Sequence, residues 1–147
     1  MARRRDFPAA GWRAMIEAAL LLPVTGVSLR LGGLRRTWRW LNRPPSTGSP
    51  AVPPAELVNP VAGAVARVSH RYPLYHPSCL TRSLVLRHLL LRRGIPAELR
   101  LGVSTAGGQF AAHAWVEYDG RVLNDTPAVT RQYALIDLPD AFLRNLT

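Results

Sequence analysis

Between Ser78 and Gly94 the apolar residues Leu80, Leu84, Val85, Leu86, Leu89, Leu90 and Leu91 recur at helical spacing and cover more than one stripe. That pattern predicts a largely buried helix. Its ends are marked. Ser78 suits the N-cap, where a hydroxyl accepts from a free backbone N–H of the first turn. Gly94, followed by Ile95-Pro96, suits the stop, and Arg92 and Arg93 sit where the carbonyl end of the dipole favours cations. Beyond Gly94 the period drops to two. Leu99, Leu101 and Val103 alternate with Glu98, Arg100 and Gly102, which predicts a half-buried strand. Residues 111–117 and 121–125 predict two further strands joined around Asp119-Gly120, and residues 132–136 another. A short tail follows, with a helical turn through Phe142 and Leu143. The fold class is therefore α+β, a buried helix packed on a small antiparallel sheet.

Upstream, residues 8–22 carry Trp12, Ile16, Ala19 and Leu20 at helical spacing, and Pro23 is expected to end that helix. A second segment, 29–41, places Leu31, Leu34, Trp38 and Leu41 on one side and Arg30, Arg35, Arg36 and Arg39 on the other. Residues 44–55, with five prolines, read as a linker. Asn59 then caps and Pro60 opens a helix through Val61, Ala64, Val65 and Val68 to near His70. Pro77 keeps His76 out of helical angles, so residues 72–77 form an extended aromatic approach to Cys79. The chain divides into a basic helical segment (1–43), a linker (44–55) and a core domain (56–147). Arg3-Arg4-Arg5 before an apolar run suggests a signal peptide. Against that, Arg13 and Glu17 interrupt the run, and the uncharged stretch 18–29 is short of a membrane span, so a cytoplasmic location is expected. The basic helices can dock on a partner protein, contact a membrane surface, or simply pack on the domain.

Composition narrows the chemistry. With 147 residues, 48% hydrophobic, the chain can bury one domain's core. A single cysteine rules out an internal disulfide or a thiolate zinc cluster, and the four histidines add no ligand set, so no metal is expected. The net charge is +10, and all nineteen basic residues are arginine. No motif that reads DNA or RNA accompanies them, so a nucleic-acid partner is not expected. Arginine usage of this kind also fits a GC-rich genome.

Cys79 stands at the first position of the predicted central helix, where free N–H groups and the positive dipole end favour the thiolate. It needs a base. His88 lies nine residues further along the same helix, about 13 Å up the axis, too far for proton transfer. His76 lacks a carboxylate partner, and His70 falls at a helix end. The hairpin around Asp119-Gly120 supplies the remaining candidate. A two-residue loop pairs Tyr118 with Arg121 and puts His113 and Asp125 on opposite faces. A three-residue loop with Gly120 as a bulge glycine pairs Glu117 with Arg121, Trp115 with Leu123 and His113 with Asp125. The second register gives the more sensible cross-strand pairs and is the one expected. Asp125 would then hold the tautomer and ring plane of His113. Arg82, one turn from Cys79, is placed to lower the thiol pKa or to receive an acidic substrate residue. Trp115, two residues from His113, is core packing or a cleft wall, and Tyr75 in the aromatic approach is a further substrate-binding candidate.

The order Cys79, His113, Asp125 resembles the transglutaminase-like branch of the papain-type cysteine enzymes, and within it the leader peptidases of lasso-peptide biosynthesis. The resemblance runs from about Tyr72 to Asp125, through Ser-Cys-Leu-Thr-Arg-Ser-Leu (78–84), Gly-Ile-Pro-Ala (94–97), His-Ala-Trp-Val-Glu (113–117) and Asp-Gly-Arg-Val-Leu-Asn-Asp (119–125). It implies a papain/transglutaminase-like core. It also implies a peptidase that removes the leader of a precursor peptide through a thioester, with Cys79, His113 and Asp125 as the catalytic set. The Cys79 N–H would be one oxyanion donor, and the second is open between Tyr72, Tyr75 and a backbone group. The partners implied are the precursor peptide, a leader-recognition protein and a lasso cyclase. The cyclase uses ATP, and the peptidase itself needs no cofactor. The alternatives are acyl transfer to an amine by the same triad, and a non-catalytic basic adaptor.

Overall fold

In a computed structural model the described residues are 9–42 and 54–136. The first element is helix α1, Ala9–Leu41, and it runs straight through Pro23. Proline removes the N–H that would bond the carbonyl four residues back, that of Ala19. The Tyr72 hydroxyl donates to that carbonyl instead, at 2.7 Å. The break expected at Pro23 falls at Gly33, whose φ of 68° lies in the left-handed region. Thr37 closes the kink. Its hydroxyl donates to the Gly33 carbonyl at 3.0 Å and shares a 2.7 Å hydrogen bond with Ser28.

Helix α2, Pro54–Arg71, begins before Asn59, so Asn59 is not its cap and Pro60 lies inside it. Burial of Leu57 and Val58 outweighs the local signal that the Asn-Pro pair gives. Two residues of the expected linker, 54 and 55, thus belong to α2. The other predicted linker residues, 44–53, and the tail through Phe142 and Leu143 fall outside the described residues. Helix α3, Cys79–Leu91, has the expected limits: Ser78 caps it, accepting from the Thr81 N–H at 3.2 Å, and Gly94 takes φ 77° just beyond its end.

One cluster holds the three helices together. Ala14, Ala18 and Leu22 of α1 meet Val61, Ala64 and Val65 of α2 and Val85, Leu86, Leu89 and Leu90 of α3, with Ile95, Ala97 and Val116. The alanines on α1 let the backbones approach closely, so the described part of the N-terminal segment shares the core of the domain that follows. A second cluster joins the far end of α1 to α3 through Trp38, Leu41 and Leu84. There the His88 ring donates from Nδ1 to the Leu41 carbonyl at 2.6 Å. Arg87 bonds the Asn42 side chain at 2.9 Å and lies 4.4 Å over the Trp38 ring. Arg93 meets Glu17 at 2.6 Å.

The sheet contains β1 (Glu98–Ser104), β2 (Ala111–Tyr118), β3 (Arg121–Val122) and β4 (Ala134–Leu135), in the order β3-β2-β1-β4 and antiparallel throughout. A single helical turn, α4 (Val129–Gln132), leads into β4. The hairpin register differs from the one expected. Tyr118 pairs with Arg121 and Glu117 with Val122, leaving a two-residue loop. Asp119 and Gly120 both take positive φ, 50° and 71°. That geometry follows the right-handed twist of the strands, so the bulge is not needed. Nor does the last strand of the hairpin reach Asp125; β3 stops at Val122.

The His88 contact has a pH signature. Burial lowers its pKa, and the nearby Arg92 and Arg87 charges add to this against the opposing pull of the Leu41 carbonyl and Glu17. A depressed folded pKa gives stability that is full above the unfolded value, about 6.5, and is lost as pH falls through the folded value. Urea midpoints should therefore drop between about pH 7 and pH 5, and His88→Gln, which cannot be protonated, should flatten that part of the curve.

Candidate active site

His113 lies on β2 with Trp115 and Glu117 on its face of the sheet, while Ala114 and Val116 point the other way and are buried. Because β3 ends at Val122, β2 has no strand partner on that edge before Val116 among the described residues. Other groups take its place. The Leu123 N–H bonds the Val116 carbonyl at 2.9 Å, and the Asn124 side-chain oxygen accepts from the Val116 N–H at 2.8 Å. Asn124 Nδ2 donates to the Ser83 hydroxyl at 2.9 Å, and that hydroxyl donates to the Ala114 carbonyl at 3.0 Å. Ser83 and Asn124 thus fasten α3, β2 and the chain leaving the hairpin at one point. Sequence reasoning passed over both; a serine amid a leucine run and an asparagine at a strand end are the signals that were there.

From that point the chain bends, and Asp125 reaches His113: Nε2 of the ring and Oδ2 of the carboxylate lie 2.5 Å apart. The other carboxylate oxygen accepts from the Thr126 N–H at 2.7 Å. The pair expected from the sequence is therefore present, although the register expected to deliver it is not. Facing-pair arithmetic applies only inside a ladder, and Asp125 lies beyond the ladder's end. Partial burial raises the Asp125 pKa, but the His113 and Thr126 hydrogen bonds and the His113 and Arg82 charges outweigh it, and the net direction is down. The carboxylate stays ionised. With Nε2 engaged, Nδ1 is the ring nitrogen left for chemistry.

The imidazole packs on two rings that also meet each other, the Trp115 and Tyr133 centroids being 6.4 Å apart. Tyr133 stacks on it with centroids 5.1 Å apart and planes at 28°, and Trp115 lies 6.3 Å away at 25°. Trp115 is itself anchored, its Nε1–H donating to Glu117 at 2.8 Å, and Arg100 holds the second oxygen of Glu117 at 3.1 Å. Gly102 makes room for the stack, since a Cβ there would sit 2.7 Å from Tyr133 Cβ and 2.9 Å from Trp115 Cη2. Nothing in the sequence singled out Tyr133, because its partners come from distant strands. Trp115 is fully buried, so it supports the imidazole and cannot itself touch a substrate. Tyr75 also departs from expectation. Its hydroxyl lies against Gly26 of α1, its ring meets Tyr72 edge-on, and it walls a small cavity with Pro23, Val27 and Arg30.

Cys79 is half-buried at the first position of α3, where backbone N–H groups have no partner within the helix. Ser83, four residues on, donates to the Ala114 carbonyl of β2 and ties the early turns of α3 to that strand. Arg82 lies near enough to act on Asp125, and its Nε is buried without a hydrogen-bond partner among the described residues. The thiol makes no hydrogen bond among the described residues. No group of three His, Cys, Asp or Glu side chains there gathers where a metal ion could sit.

A capped helix thus opens on a cysteine, and the chain leaving an antiparallel hairpin brings an aspartate to a histidine. The profile of the transglutaminase-like superfamily matches residues 19–137, and the chain belongs to that superfamily. Its sequence is also 38% identical over 63 residues to the microcin J25-processing protein McjB of Escherichia coli, a stretch that covers 43% of this chain and 29% of that protein. No solved structure matches.

Two measurements test the site. Gly102→Ala should cost about 1–3 kcal/mol through overpacking against Tyr133 and Trp115, read as a lower urea midpoint with a changed His113 ring signal in NMR. A lowered Asp125 pKa gives stability that is full above the ordinary carboxylate value, about 3.9, and disappears as pH falls through the lower folded value. Asp125→Asn should remove that acid limb from the stability profile.

Proposed function

We propose that this chain is a cysteine peptidase that removes the leader of a lasso-peptide precursor. The observation that supports it best is the His113–Asp125 pair, with Nδ1 unbonded among the described residues, in a transglutaminase-like chain whose central helix opens on its sole cysteine. The similarity to a microcin-processing protein supplies the substrate class.

In this reading His113 takes the thiol proton at Nδ1, and the Cys79 thiolate adds to the scissile carbonyl carbon. The oxyanion is held by the Cys79 N–H at the helix start. Collapse breaks the C–N bond; His113 returns the proton to the departing amine, which becomes the new N-terminus of the core peptide. Water, deprotonated by His113, then cleaves the thioester and releases the leader acid. Asp125 keeps the ring oriented and stabilises the imidazolium, and Arg82 keeps Asp125 charged. A leader-recognition protein presents the substrate, and an ATP-dependent cyclase takes the freed amine, all in the cytoplasm. Acyl transfer to an amine would use the same residues up to the thioester.

The test combines the protein, the precursor and the recognition protein and weighs the products. Leader acid plus core amine is expected. Cys79→Ala and His113→Ala should abolish cleavage, and Asp125→Asn should slow it by about 10²- to 10⁴-fold. Full cleavage by Cys79→Ala removes the reading, and leader recovered as an amide of an added amine favours transfer instead.

A further inference from the structure

We propose that α1 lies flat on an anionic lipid surface. One side of the helix is committed to the protein: Gly11, Ala14, Ala18, Leu22, Thr25 and Gly26 are buried. The opposite side is also apolar and is exposed. Trp12, Ile16, Leu20, Val24, Val27 and Leu31 are each more than half exposed, Leu31 at 85%. Their spacing of four, four, four, three and four residues keeps them on one stripe about 28 Å long. No charged residue occurs between Glu17 and Arg30. A helix apolar on both sides normally has both covered, and a continuous patch of this size marks an interaction surface.

The charges select the occupant. α1 carries five arginines, Arg13, Arg30, Arg35, Arg36 and Arg39, and one acid, Glu17, which is paired with Arg93 and Arg13. Cations therefore stand at both ends of the uncharged stripe. A second copy of the chain packed on it, parallel or antiparallel, would set arginine against arginine. The stripe is a ridge, so a partner protein would need a matching groove, whereas a bilayer interface needs none. Past Gly33, Arg36 and Arg39 line a cavity of about 370 Å³ with Ser28 and Trp40, a setting suited to a lipid phosphate. The helix is long and apolar enough to cross a membrane by composition, but its buried side and the Glu17–Arg93 pair hold it against the domain. It can lie in the interface, not across it.

The full chain is floated with vesicles of phosphatidylcholine alone and of phosphatidylcholine and phosphatidylglycerol in equal parts. Retention on the anionic vesicles should exceed that on neutral ones by about tenfold or more and should fall with added salt. A variant with Ile16→Ser, Leu20→Ser and Val24→Ser should lose retention while keeping its circular dichroism and peptide-processing activity in solution, since these side chains are exposed and outside the site. No flotation, or equal flotation of both proteins, overturns the proposal. So does a dimer in sedimentation that the triple variant dissolves, or lipid-free binding to the recognition protein that the same variant abolishes.

Discussion

The edge of β2 governs how this molecule is put together. A strand that loses its neighbour midway leaves backbone N–H and C=O groups exposed, and leaving one unsatisfied away from water costs about 1–3 kcal/mol. Here Val116 and Ala114 are satisfied by the side chains of Asn124 and Ser83, which also bond one another. Those hydrogen bonds set the position of α3 along the sheet. They also turn the chain after Val122 so that Asp125 arrives at His113. Helix, strand and carboxylate are located by the same few polar contacts.

Around that point the site is braced from one side by aromatic packing and from the other by charge. Tyr133 and Trp115 fix the plane of the imidazole, and Glu117 and Arg100 fix Trp115. Arg82 and the backbone of Thr126 hold Asp125 in its ionised form. The N-terminal helix supports the arrangement from below: its small residues admit α2 and α3 to a common core, and the hydroxyl of Tyr72 supplies the hydrogen bond that Pro23 denies it. That the superfamily match begins at residue 19, inside α1, agrees with the helix being part of the domain and not an appendage.

Much of the site could be read from the chain because its residues occupy positions with local signatures. Ser78 and Gly94 mark the limits of α3, and an imidazole and a carboxylate flank a short Asp-Gly turn. The pairing of His113 with Asp125 was anticipated through a bulged register, yet the turn is a two-residue one and the pair forms beyond the ladder. Ser83 and Tyr133 leave no local signature because they act on residues thirty-one and twenty positions away, with no periodic trace. The two prolines misled for a related reason. Pro23 and Pro60 carry strong local stop and start signals, and long-range contacts overrode both.

The sequence by itself determined the α+β class, the helix that begins with Cys79, the strands β1 and β2, and the identity of the histidine and aspartate that meet. These follow from side-chain period, capping and turn chemistry, which act over a few residues. Only the tertiary structure decided where α1 bends, where α2 starts, which hairpin register is taken, and which hydroxyl and amide complete the open edge of β2. Those outcomes depend on packing and hydrogen-bond satisfaction between segments far apart in the chain, and such terms are larger than the local preferences they replace.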